Sequence, residues 1–317
     1  MFEWNQLFYQ KTETFKVEKT LSILMQQRQW STFIKNIRKH FYHKEFEECM
    51  TPIMVDSPGT EPSIDPFEML VTIENRREKK YLRTSPEIAI KKLICLGMAN
   101  CFEIGQVFRD KEWTDQHRPE FTMLEWYRVN GTLLQIEEDV KSMIFALTSN
   151  KQIKFSSFSI SELFLDRLNL VILPTTTLEE YRHFCEGLNL DHHSMTTIDD
   201  YFFLIWTTLI EPTFHPDEVT FVKDYPPFQK AYSQIHPVTG WAQRMEFYWK
   251  GFELGNAFQE ETDQVRQKMQ FDLDNQKKIA SGKNEVQLDQ EFLKLMPQMP
   301  ECAGIAVGLD RLFLCIQ

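Results

Sequence analysis

Apolar residues recur at helical spacing over residues 18–43, where Leu21, Leu24, Met25, Ile34, Ile37 and Phe41 predict an amphipathic helix. A short extended run, Phe46 to Thr51, follows and stops at Pro52, which cannot donate to a ladder. Thr84 to Leu96 begins Thr-Ser-Pro-Glu and turns helical. Cys101 to Arg109 and Phe121 to Val129 read as two strands separated by a polar loop. Between about Thr148 and Phe221 the pattern is helical at Leu178 to Glu186 and at Tyr201 to Ile210, with Gly187 expected to stop the first helix. This stretch is read as a helical insertion with a structural role. Gln243 to Phe258 predicts a hairpin turning at Lys250-Gly251, and Asp263 to Ala280 a polar helix ended by Gly282. Strands joined by hairpins rather than crossover helices imply an α+β fold with a mainly antiparallel sheet flanked by helices.

Composition narrows the class. The chain has 317 residues, 42% hydrophobic and 26% charged, the profile of a soluble globular protein. No run approaches the roughly 20 apolar residues of a membrane span, and the N-terminus, MFEWNQLFYQ, lacks the basic-then-apolar pattern of a secretory signal. The six cysteines show no CxxC pairing, which fits reduced thiols in a cytoplasm. A net charge of −11, from 46 acids and 35 bases, argues against a general polyanion binder.

Two arginine-bearing segments carry the chemistry. In the first, Phe108 to Tyr127, a strand ends at Arg109 and a second begins at Phe121. In the second, Gly304, Ala306 and Gly308 share one strand face, and Asp310-Arg311 opens the next element. Such a bare face lets a ligand lie flat on the backbone. Fixed guanidinium groups suit a polyphosphate. Glu246 and Glu253 stand on either side of the Lys250-Gly251 turn, a pair able to bind a Mg2+ that also bridges phosphates. Glu125 and Tyr127 share a face, and strict alternation would put Asn256 opposite Glu253, so a bulge is expected between them. Buried carboxylates are costly unless paired, so acids gathered in a pocket suit a ligand carrying amines.

These segments resemble motifs 2 and 3 of class II aminoacyl-tRNA synthetases, in the lysyl-tRNA synthetase branch, and the helix–strand–proline start resembles motif 1. The likeness runs from about Trp30 to the C-terminus, thin between residues 148 and 221. It is strongest to the short stand-alone elongation factor P–lysine ligases. The resemblance implies one class II catalytic domain over residues 1–317, without an anticodon-binding domain, and a motif 1 homodimer. It implies ATP with Mg2+, the metal held by Glu246 and Glu253. Arg109 would serve the α-phosphate and the carboxylate, and Arg311 the γ-phosphate. Glu112, Phe121 and Gly308 would line the ATP site, and His117 would reach the phosphate tail or sit exposed in its loop. Glu87, Tyr127 and Glu260 would hold the side-chain ammonium of lysine, with Ser85 beside them. Glu125 would take the backbone-side amine, Asn256 the carboxylate, and Phe258 the alkyl chain.

The chain departs from the family pattern at Lys111, where an acid is usual, at Gln116-His117-Arg118, at Ala257 in place of glycine, and in ending six residues past Arg311. Ala306 stands where lysyl-tRNA synthetases carry glycine and the elongation factor P ligases alanine. That methyl favours (R)-β-lysine over α-lysine. The leading expectation is therefore adenylation of (R)-β-lysine and transfer to a lysine of elongation factor P, with tRNA not expected as acceptor. The alternatives are a minimal lysyl-tRNA synthetase and a catalytically silent paralogue acting as a sensor.

Overall fold

In the computed structural model, residues 17–114, 117–148 and 152–317 are described, with side chains from Ile23 onward. The N-terminal segment read for a secretory signal, and Gln116 of the loop, lie outside the described residues, as does the Leu21 side chain.

Helix α1 (Val17–His43) leads into the two-residue strand β1 (Glu47–Glu48). Its inner stripe of Phe33, Ile37 and Phe41 is buried, but Leu24 is 51% and Met25 62% exposed, so the predicted apolar stripe is not wholly a core face. Strands β2 (Met54–Val55), β3 (Glu68–Ile73) and β4 (Arg76–Leu82) form a small separate sheet. Helix α2 (Glu87–Cys95) is the expected helix after Thr84, and β5 (Cys101–Phe108) and β6 (Glu120–Val129) are the expected pair. Helix α3 (Leu133–Leu147) follows.

The stretch between 148 and 221 holds helices α4 (Ile160–Leu168), α5 (Leu178–Gly187) and α6 (Ile198–Ile205), the last continuing as one wider turn over Trp206–Ile210. It is not purely helical: β7 (Lys154–Ser159) precedes α4, and β8 (Glu218–Tyr225) begins inside it. The polar Lys-Phe-Ser-Ser-Phe-Ser run of β7 gave no strand signal because it is an edge strand, paired only with β8. Gly187 is still helical; the left-handed residue beyond α5 is Asn189, at φ 54°.

Strands β9 (Ala242–Trp249) and β10 (Phe252–Gln259), helices α7 (Gln264–Ala280) and α8 (Gln290–Leu295), strand β11 (Cys302–Gly308) and helix α9 (Leu309–Ile316) complete the chain. The β9–β10 turn sits where expected, with Lys250 at φ 51° and Gly251 at φ 78°, the mirror-image turn that matches strand twist.

The main sheet has eight strands in the order β1-β5-β6-β11-β10-β9-β8-β7. Its interior pairings are antiparallel; only the edge pairs β1–β5 and β7–β8 are parallel. This is the expected α+β architecture. The core lies on one sheet face, where Leu124, Trp126, Ile305, Val307, Ala257 and Phe247 meet the buried stripes of α1, α3 and α9. A second core, built on Phe164, Tyr181, Phe202 and Trp206 of the insertion, covers the opposite face over β8 and β9 through Val222, Tyr225 and Tyr248. The middle of that opposite face carries the site residues. No helix among the described residues is long and apolar enough to cross a membrane, and the six cysteines are free.

Candidate active site

Strand register decides which side chains can meet. Gly304 pairs with Tyr127 and Phe258, Ala306 with Glu125 and Asn256, and Gly308 with Met123. Paired residues of neighbouring strands share a face, so these line one surface. The expected bulge is present: Glu253 pairs with Tyr248 and Gly255 with Phe247, leaving Leu254 as the extra residue. The bulge brings Glu253 and Asn256 onto the same face as Glu246. Glu246 itself pairs with Asn256, so the two glutamates are diagonal neighbours rather than partners facing across the hairpin.

At one end the residues form an acidic pocket. Glu87 is at the start of α2, with Ser85 just before it. Ser85 Oγ donates to Glu125 at 2.7 Å and accepts the Glu87 backbone N–H at 3.0 Å. Tyr127 Oη donates to the other Glu125 oxygen at 2.5 Å. Glu125 and Glu260 are each 1% exposed. Burial, then the nearby charge of Glu87, pushes both carboxyls up to about 8, although Lys91 lies against Glu260 and opposes the shift.

Lys91 was missed from the sequence. It is 1% exposed, contacts Glu260 Oε2 at 2.7 Å and pairs with Glu87 one turn earlier on α2. Two carboxylates expected to hold a ligand ammonium thus already share a built-in one. The signal was legible as a lysine four residues after Glu87 on the same helix face. A second buried pair lies beside this pocket, on the residue paired with Glu125: Arg83 Nη1 donates to Glu103 at 2.6 Å and to Thr51 Oγ1 at 2.8 Å. Gly105 leaves room for it, since a Cβ there would stand 2.1 Å from Arg83 Nη2.

The three small residues of β11 do not form one continuous bare face. A Cβ at Gly304 would lie 2.3 Å from the Tyr127 ring and 2.8 Å from Glu260 Oε1, so protein groups already fill that space. At Gly308 a Cβ would meet nothing. Ala306, partly exposed, stands between them. Phe258 is 9% exposed beside the acidic pocket. Asn256 Oδ1 accepts from Arg244 at 3.1 Å.

The other end is cationic. The Arg109 guanidinium lies 5.2 Å from the Phe121 ring centroid and 3.8 Å from Glu112, and its buried Nε has no hydrogen-bond partner. Burial lowers the Arg311 pKa, the Glu253 and Glu112 carboxylates oppose that and the like charge of Arg109 adds to it, and Arg311 Nη1 donates to the Glu253 carbonyl at 3.0 Å. His117 joins them: burial, then Arg311, lowers its pKa, and its Nδ1 is 2.9 Å from Thr114 Oγ1. Lys111 sits at φ 65° and points to Asp65, 3.3 Å away. It acts as an extra residue in the loop, which lets Glu112 turn back to Arg109.

Glu246 is held by Arg244 and Tyr248 and accepts from Tyr225 Oη at 2.6 Å. No side-chain donor reaches the Glu253 carboxylate among the described residues. It opens to solvent, yet the surrounding bulk of protein, followed by the Glu246 charge, raises its pKa. A hard divalent cation fits this pair through Glu253 first, with phosphate oxygens completing its shell. Among the described residues no cluster of three His, Cys, Asp or Glu side chains could hold a metal by itself.

With this geometry in place, similarity to known proteins is informative. The family model for class II tRNA synthetases (D, K and N) matches residues 11–317. The chain is 32% identical over 301 residues to an elongation factor P–(R)-beta-lysine ligase homolog of Aquifex aeolicus (strain VF5), across 90% of this chain and 92% of that protein. It is 31% identical over 290 residues to the elongation factor P–(R)-beta-lysine ligase of Proteus mirabilis (strain HI4320), across 89% and 87%. Against that ligase from Buchnera aphidicola subsp. Acyrthosiphon pisum (strain APS), identity is 34% over 292 residues, across 90% and 89%.

Proposed function

Because the chain belongs to the class II tRNA synthetases (D, K and N), we propose that it activates (R)-β-lysine with ATP and transfers it to a lysine side chain of elongation factor P. The relatives named for that reaction support the substrate and the acceptor. The observation that carries the reading is one sheet face with an acidic pocket at one end and paired arginines at the other. A diamino acid lies with its amines at the acidic end, and its carboxylate points toward Arg109.

In the first step a carboxylate oxygen bonds to the α-phosphorus, the bond to the bridging oxygen breaks, and pyrophosphate leaves. Arg109 stabilises charge at the α-phosphate, while Arg311 and His117 hold the leaving phosphates. Glu112, Phe121 and Gly308 shape the nucleotide site. Glu253 and Glu246 would hold Mg2+, which when bound would supply neutralisation of phosphate charge. In the second step the acceptor amine bonds to the acyl carbon, AMP leaves, and the amine loses its proton. Glu87, Tyr127 and Glu260 serve the distal ammonium, Glu125 and Ser85 the nearer amine, Asn256 the carboxylate, and Phe258 the chain. We assign residues 1–317 to one catalytic domain working in the cytoplasm, with 148–221 as scaffolding. The enzyme is a homodimer through α1, whose Leu24, Met25 and Tyr42 are more than half exposed; light scattering at micromolar concentration tests this.

The deciding experiment offers labelled (R)-β-lysine, ATP, elongation factor P and tRNA together. Label on one lysine of elongation factor P is expected. Transfer to tRNA alone would replace this reading with a minimal lysyl-tRNA synthetase. Absence of pyrophosphate exchange with either lysine isomer would end the enzymatic reading.

A further inference from the structure

Glu61 lies in the segment between β2 and β3, and its neighbours in sequence are tied down on every side. Thr84 Oγ1 donates to the Pro58 carbonyl at 2.6 Å, and the Thr60 N–H donates to Tyr232 Oη at 3.0 Å. Thr60 Oγ1 donates to Asp274 at 3.0 Å. Lys283 and Lys278 each donate, at 2.9 Å, to the carbonyls of Pro62 and Ile64. The segment is held by α7, the α7–α8 connection and Thr84, so its position does not depend on Glu61.

The Glu61 carboxylate takes no part in this network. Among the described residues, only its own backbone N–H reaches it. It folds back over Gly59, whose φ of +100° suits glycine; a Cβ there would stand 3.0 Å from Glu61 Oε2. The other acids nearby are provided for. Glu87 and Glu260 share Lys91, Glu125 has Ser85 and Tyr127, and Asp274 has Thr60 and Gln270. Glu61 is partly buried and forms no ion pair among the described residues, and burial, then the charge of Glu87, pushes its carboxyl up to about 7. Its strongest charged neighbours after Glu87 are Arg109 and Asp274.

These neighbours locate it. The segment runs from Thr84, which precedes Ser85 of the acidic end, to Asp65, whose carbonyl accepts the Asp110 N–H beside Arg109 at 2.7 Å, and a Cβ on Gly59 would stand 3.0 Å from Glu61 Oε2 and 3.9 Å from Thr84 Oγ1. Glu61 therefore borders the place where the substrate's reacting carboxylate must lie. A carboxylate held there without a side-chain donor matches a cation brought by the substrate. We propose that Glu61 is a specificity-determining residue that binds the substrate amine nearest the reacting carboxylate, alongside Glu125. This rests on the reading of the site as one for a diamino acid.

The test is calorimetric titration of wild type, Glu61→Gln and Glu61→Asp with three probes. These are (R)-β-lysine, 6-aminohexanoic acid, which lacks the near amine, and 3-aminohexanoic acid, which lacks the distal one. Wild type should prefer β-lysine to 6-aminohexanoic acid roughly ten- to a hundredfold, the effect of a hydrogen bond to a charged group. Glu61→Gln should lose most of that ratio yet keep the preference over 3-aminohexanoic acid, and Glu61→Asp should retain part of it. An unchanged ratio in Glu61→Gln, equal loss of both preferences, or no β-lysine binding by wild type would overturn the proposal. Pyrophosphate exchange measured alongside separates the two claims. Binding with the expected ratios but without exchange removes the proposed activity and leaves Glu61 its role. Exchange with an unchanged ratio does the reverse.

Discussion

The two ends of the ligand face are built on opposite principles. At the acidic end the polar groups are mostly satisfied within the protein: Lys91 bridges Glu87 and Glu260, and Glu125 receives two hydroxyls. At the cationic end Arg109 has an unpartnered Nε, Arg311 has carboxylates and the like charge of Arg109 around it but makes its hydrogen bond to a backbone carbonyl, and Glu253 has no side-chain donor among the described residues. Buried charges left alone are expensive, so the first end must be pre-assembled to fold at all. The second is more open to solvent and can remain incomplete in the absence of a ligand. Removing a group from the first end should therefore damage stability, and from the second, turnover.

The largest effect should follow from Lys91→Met. It leaves two carboxylates without their shared cation, and breaking one partner of a buried pair typically costs about 3–5 kcal/mol. Urea unfolding measures it; a loss under about 1 kcal/mol would mean that the acidic end is not held by Lys91. The same end should respond to pH. Folding raises the Glu125 carboxyl from the ordinary 4.5 to about 8 and Glu61 to about 7. The folded state then binds these protons more tightly than the unfolded state. Stability from these groups is complete below about 4.5 and is lost as pH rises through 8. The ligand-free protein should melt at lower temperature at pH 8.5 than at pH 6, and β-lysine should narrow the gap. Glu125→Gln should flatten the dependence; a Tm that rises over this window contradicts the assignment.

At the cationic end Arg109→Ala should leave the melting temperature near that of wild type. Pyrophosphate exchange should fall by about two to three orders of magnitude, the usual cost of removing one group aimed at developing charge. Comparable loss of stability and activity would erase the distinction between the two ends.

Sequence periodicity recovered the elements that lie on the central sheet because alternation there has one buried face to report. Even the bulge was readable: Glu253 and Asn256 are an odd number of residues apart, yet both had to serve one site, and Leu254 resolves the conflict. Strand β7 was not readable, since an edge strand of Lys, Phe and Ser buries too little to show a period. Leu24 and Met25 misled for the converse reason, being apolar at helical spacing without a core to meet. Within the site, Arg109, Arg311 and the pocket glutamates were found through local motifs. Lys91 had a local signal in Glu87, one turn earlier, but its contact with Glu260, and the surroundings of Glu61, come from parts distant in the chain. The apparent bareness of Gly304 was a local inference that ignored the Tyr127 ring from the adjacent strand.

Ala306 lies between the two ends, opposite both Glu125 and Asn256. In the proposed binding mode its methyl stands where the near amine would pass into the carboxylate. Ala306→Gly should shift preference from (R)-β-lysine toward α-lysine by about 1–3 kcal/mol, or roughly ten- to two-hundredfold in the ratio of kcat/KM. ATP binding should hold steady, because Arg109 and Arg311 are untouched. An unchanged ratio would assign the choice of isomer to other residues.

The smallest effect belongs to Lys111, the departure from the family pattern that lay closest to the nucleotide site. Its left-handed backbone and its contact with Asp65 turn the side chain away from Arg109, while Glu112 takes up the position beside the guanidinium. Lys111 then acts as a spacer in the loop rather than as a contact to ATP. Asparagine tolerates the same backbone conformation and removes the charge. The lost pair with Asp65 is largely solvent-exposed on the lysine side, at 71% and 20%, and such pairs contribute little. Lys111→Asn should therefore alter stability by no more than about 0.5 kcal/mol, and the KM for ATP should remain within about threefold of wild type. Glu112→Gln, by contrast, should raise that KM. If Lys111→Asn raised it tenfold while Glu112→Gln did not, the lysine would be a true nucleotide contact, and the cationic end would extend further along the loop than its geometry indicates.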